Sequence, residues 1–83
     1  MRGAGPIVWG GESVYGYYTI SGSVTRVRVS VDEADRLGVV EGQRVSVALP
    51  GKAPAEGLVV RVRREPPFAW VELTPMAANR AAG

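Results

Sequence analysis

The 83-residue chain contains no cysteine and no histidine. Their absence removes thiolate nucleophiles, imidazole bases, zinc sites, iron–sulfur ligation and every Ser-His-Asp arrangement together. It also leaves the redox compartment unread, because no disulfide framework exists to report it. Lysine is nearly missing as well, with Lys52 alone beside nine arginines. Ten cations face eight carboxylates, a formal net charge of +2. An excess that small suits solubility and does not by itself argue for nucleic acid. No apolar run approaches the ~20 residues that cross a bilayer. The first residues carry one arginine and an apolar stretch too short for a secretory signal. The expectation is a cytoplasmic protein without a membrane partner.

What is present favours β-structure. Apolar residues make up 46% and charged residues 22%, a globular balance. A chain of this length supports one core and buries only about 60–65% of its unfolded surface. Residues 1–13 are glycine-rich around Pro6-Ile7-Val8-Trp9 and read as a flexible N-terminal arm with at most one short strand. Residues 14–74 read as a single barrel domain, and residues 75–83 as a short tail. Val14 to Ile20 is aromatic and β-prone, with Gly16 weakening the strand or marking a bulge.

Beyond the Ser21-Gly22-Ser23 turn the alternation is strong. Val27, Val29 and Val31 oppose Arg26, Arg28 and Ser30, and Val45, Val47 and Leu49 oppose Arg44, Ser46 and Ala48. Leu58, Val60 and Val62 are expected inward, against Val59, Arg61 and Arg63. Ala69, Val71 and Leu73 are expected inward, against Phe68, Trp70 and Glu72. Between the first and second of these strands, Ser30 or Asp32 suits the cap of a short helical turn, Leu37 its core contact and Gly38 its left-handed stop. Pro66-Pro67 marks a strand boundary. The fold class is all-β: a small closed β-barrel of five to six strands with one short helical turn. Closure removes the edges that amphipathic strands would otherwise expose.

Two groups of side chains invite a functional reading. Arg26, Arg28, Arg44, Arg61 and Arg63 fall on polar faces, where a planar guanidinium donates bidentate bonds to phosphate or carboxylate. The plainer reading is that outward strand positions are simply polar. Phe68 and Trp70 share the outward face of their strand, as a stacking platform, a ligand wall or a subunit contact. The alternative is a second layer over them, with Trp9, Tyr15, Tyr17 and Tyr18 as candidate cover. Asp32, Glu33 and Asp35 suit the start of the helical turn and carry no companion ligand, so no metal site is expected. No phosphate-loop glycine pattern occurs.

The run Val31-Asp32-Glu33-Ala34-Asp35-Arg36-Leu37-Gly38-Val39, then Glu41-Gly42-Gln43 and Val45-Ser46-Val47, resembles a segment of molybdopterin dinucleotide-binding domains. These include the last domain of formate dehydrogenase-like enzymes and a small separate subunit of formylmethanofuran dehydrogenases. Pro75-Met76-Ala77-Ala78-Asn79 looks similar to the segment that closes the pterin site in that family. The resemblance covers about residues 27–80. It implies a double-psi (cradle-loop) barrel holding molybdopterin guanine dinucleotide as an accessory subunit of a molybdenum or tungsten oxidoreductase. Leu37, Gly38, Met76 and Asn79 would then line the cofactor. Similar runs occur in the N-domain barrels of VAT-type ATPases, in AbrB-type DNA-binding hairpins and in membrane-fusion adaptors.

Three roles therefore stay open: a cofactor-holding module, a protein-interaction or homo-oligomeric assembly barrel anchored by Phe68 and Trp70, and an AbrB-like DNA-binding barrel using Arg26, Arg28, Arg61 and Arg63. None is catalytic by itself. Without His or Cys, and with a single Lys, no nucleophile–base pair can be assembled.

Overall fold

The computed structural model describes residues 1–75. Six strands and one helix follow in the order β1 (Arg2–Trp9), β2 (Glu12–Ser21), β3 (Val24–Ser30), α1 (Val31–Leu37), β4 (Arg44–Ala48), β5 (Ala55–Glu65) and β6 (Phe68–Pro75). They close into a barrel of order β1-β2-β3-β6-β5-β4, with every ladder antiparallel. Two three-stranded meanders, joined by α1, thus face each other. They are sealed along a long β3–β6 ladder and a short β1–β4 seam, Val8↔Ala48 and Trp9↔Val47.

The alternation places the core as expected in β3, β4 and β6. Val27, Val29, Val45, Val47, Ala69, Val71 and Leu73 are buried, and no polar or charged side chain joins them among the described residues. The inner face carries no charge, and the unpaired polar atom it buries among the described residues is the Trp9 indole Nε1, a donor left at some cost to stability.

Helix α1 starts on Ser30, whose Oγ accepts from the Glu33 amide at 3.1 Å. Of the two caps expected, Ser30 is used rather than Asp32. The helix ends on Gly38 at φ 68°, ψ 39°, a left-handed cap. There the Val39 amide donates back to the Ala34 carbonyl at 3.1 Å. Ala34 is buried in the core cluster and Leu37 packs against it.

Two expectations need correction. The first concerns residues 1–13. Instead of a flexible arm they contain β1, which pairs with β2 from Arg2↔Thr19 to Trp9↔Glu12 and buries Ile7 and Trp9. Met1 and Ile20 exchange both backbone bonds (3.3 and 2.8 Å), which sets the odd positions of β1 toward β2. Pro6, at an even position, turns its donorless nitrogen away from that ladder, so proline costs the strand no bond. The barrel accordingly spans Arg2 to Pro75 rather than residues 14–74.

The second correction concerns β5. Val59 is 1% exposed and Val60 is 43% exposed, the reverse of the expected phase. The ladder steps from Val59↔Leu73 to Arg61↔Glu72, so Val60 is the extra residue of a β-bulge. Past the bulge the phase is restored and Val62 packs against the core. The turn before β4 stitches this irregularity: Gly42 N donates to Val59 O at 2.7 Å, and Val62 N donates to a Glu41 carboxylate oxygen at 3.0 Å.

Candidate functional site: an arginine–aromatic face

The outer surface of β2, β3, β6 and β5 is set by register. Tyr17 lies opposite Arg28, Arg28 opposite Trp70, and Trp70 opposite Arg63, one row across four strands. The adjacent row runs Thr19, Arg26, Glu72, Arg61. Ring and cation thus alternate along one row, and the next brings a carboxylate between two guanidiniums. Directly opposed residues on one face of a sheet have Cβ atoms ~5 Å apart, close enough to interact.

Arg28 is the centre of this arrangement. Its guanidinium carbon lies 4.4 Å from the Phe68 ring centre, 5.2 Å from that of Tyr17 and 5.8 Å from that of Trp70. All three distances fall within the range of cation–π attraction. Tyr17 and Trp70 meet edge to face, 6.3 Å apart at 89°. The rings therefore wall in a half-buried cation, while Phe68 keeps 40% of its surface exposed. Arg28 makes no ion pair and no side-chain hydrogen bond among the described residues.

Its neighbours differ. Arg26 Nε bonds Glu72 Oε2 at 3.0 Å, and an Arg63 guanidinium nitrogen lies 2.9 Å from Glu65 Oε2. Arg61 has no carboxylate partner among the described residues. Beside Trp70 these side chains line an open groove of ≈ 210 Å³, with Arg26, Arg61, Arg63, Glu65 and Glu72 around it.

The six surface residues singled out from the sequence, Arg26, Arg28, Arg61, Arg63, Phe68 and Trp70, are thus brought onto one face. Of the four aromatics considered as cover, only Tyr17 joins them. Trp9 and Tyr18 are core residues, and Tyr15 is 73% exposed. Alternation already puts Glu72 on this face, but its pairing with Arg26 follows only from cross-strand register. Glu65, two residues along β5 from its partner Arg63, is not singled out by the sequence reading.

The other candidates lie elsewhere. Gly38 caps α1 and Leu37 packs on the core, and Met76 and Asn79 lie outside the described residues. Arg44, on β4, is not part of the two rows. Around α1, Arg36 bonds Glu33 (2.6 Å) and Glu12 (2.7 Å), and Arg64 bonds Asp35. The hydrogen bonds Arg36 donates to Glu33 and then to Glu12 hold its pKa above its ordinary value. Glu33 and Asp35 are therefore occupied by ion pairs. A second cavity, ≈ 170 Å³ and mainly apolar, opens at the barrel end formed by Val47, Leu49, Leu73 and Pro75, with Lys52 and Glu56 at its walls.

No helix among the described residues is long and apolar enough to cross a membrane. Comparison with known protein families, with characterised proteins and with solved structures returns no match for this chain.

Proposed function

We propose that this barrel is a protein-interaction module whose contact surface is the outer face of β2, β3, β6 and β5. The observation that carries this reading is the row Tyr17–Arg28–Trp70–Arg63, with Phe68 beside it. Tyrosine, tryptophan and arginine are the residue types that dominate the energetics of protein interfaces. Here their rotamers are already restrained by one another, which lowers the ordering cost of docking. The charged groups Arg26, Arg61, Glu65 and Glu72 form the kind of polar rim that surrounds such anchors.

The test is comparative capture from source cells on immobilised barrel. A partner held by the native protein is expected to be lost at least tenfold with Trp70→Ala, since an anchor of this type contributes about 2 kcal/mol or more. Val8→Ala, on β1 across the barrel from β6, serves as the control and should leave capture unchanged. Equal capture by native and Trp70→Ala barrels, both shown folded by circular dichroism, would discard the proposed face.

A further inference from the structure

Building on the interaction-face reading, we infer that the partner presents an acidic polypeptide segment, gripped by Arg28 and Arg61. The face holds four guanidiniums (Arg26, Arg28, Arg61, Arg63) against two carboxylates (Glu65, Glu72), and the two carboxylates are already engaged by Arg63 and Arg26. What remains for a partner is the pair Arg28 and Arg61. Three rings surround the Arg28 guanidinium, and its N–H groups have no acceptor among the described residues. A guanidinium fixed in this way offers its donor fork to a carboxylate at little further loss of rotamer freedom.

Charge and spacing select the occupant. A second copy of this face would bring the same excess of cations against itself. A nucleic-acid strand would run an unbroken line of phosphates past Glu65 and Glu72. A polypeptide can place carboxylates at the two open cations alone.

In register terms Arg28 and Arg61 stand two strands and one row apart, roughly 12 Å at ordinary strand spacings. An extended chain presents residues i and i+4 on one side about 13 Å apart, with i+2 between them. The fitting motif is acid-x-apolar-x-acid, its apolar residue lying in the groove against Trp70.

The experiment is fluorescence-anisotropy titration of the full chain with three labelled probes. These are a dodecapeptide carrying Glu-Ser-Leu-Ser-Glu, the same peptide with both Glu replaced by Gln, and oligothymidylate. The Glu peptide should bind at least tenfold more tightly than the Gln peptide and more tightly than oligothymidylate at equal ionic strength. Arg61→Ala, on the open surface, and Arg28→Lys, which keeps charge but loses the planar fork, should each weaken it about five- to tenfold. Lys52→Ala removes a cation from the β4–β5 loop, outside both rows, and should change affinity less than twofold.

Equal binding of the Glu and Gln peptides, tighter binding of oligothymidylate, or a loss with Lys52→Ala equal to that with Arg61→Ala would each overturn the inference. If it falls while Trp70→Ala still abolishes partner capture, the interface stands and only the acidic character of the partner is lost.

Discussion

Gly16 pairs with Gly5 in the middle of the β1–β2 ladder, and a Cβ built on it would lie 2.8 Å from the Arg28 carbonyl oxygen. It would also meet Ile7 Cδ1 and Val29 Cγ1, each at 3.1 Å. Two of these neighbours are core side chains and the third is backbone, so none can give way cheaply. Gly16→Ala is expected to lose about 1–3 kcal/mol as overpacking, read as a lower urea midpoint at unchanged slope. A midpoint within error of the native value would show that the barrel wall yields there. In the sequence Gly16 is legible as a weak point in a strand, but the reason for it is not. The neighbours that crowd it arrive from β1 and β3, and their distance depends on how the sheet curls. The outward direction of Arg26, Arg28, Phe68 and Trp70 is legible for a simpler reason: alternation fixes a face within one strand. Which tyrosine on the outer face of β2 shelters Arg28 is not legible, because Tyr15 and Tyr17 share that face and are told apart only by the register that β2 adopts against β3.

At the scale of elements, the bulge in β5 is the clearest departure from periodicity. Regular alternation has no single phase through Leu58-Val59-Val60, where three consecutive apolar residues allow either one. The choice is made by the partners. Gln43 O accepts from Val59 N at 2.9 Å, and Glu41 takes the Val62 amide, so the turn before β4 sets the phase on both sides of Val60. Val59→Ala should therefore cost about 2–3 kcal/mol in chemical unfolding, while Val60→Ala should stay within about 0.5 kcal/mol. The opposite ranking would restore regular alternation and remove the bulge. Helix α1, by contrast, is readable almost residue by residue. Its cap, acidic first turn and glycine stop are local chemistry, independent of what the helix packs against.

For the molecule as a whole, the decisive element is β1. It contributes Ile7 at 0% and Trp9 at 4% exposure to the core, and it alone bridges β2 to β4. A chain lacking residues 1–9 is expected to lose amide dispersion in its NMR spectrum and its near-ultraviolet circular dichroism, since no other described strand can close the gap. Retention of a native-like spectrum would reinstate those residues as a dispensable arm. Local pattern was enough to establish the all-β class, the capped helix and the apolar faces of β3, β4 and β6, because each follows from neighbours a few positions apart in the chain. It could not establish that a glycine- and proline-bearing segment becomes a wall strand, that Val60 leaves the core, or that Tyr17, Arg28, Trp70 and Arg63 share one row. Those outcomes rest on cross-strand register and barrel closure, which join residues as distant as Arg26 and Glu72, 46 positions apart, and no short-range periodicity encodes them.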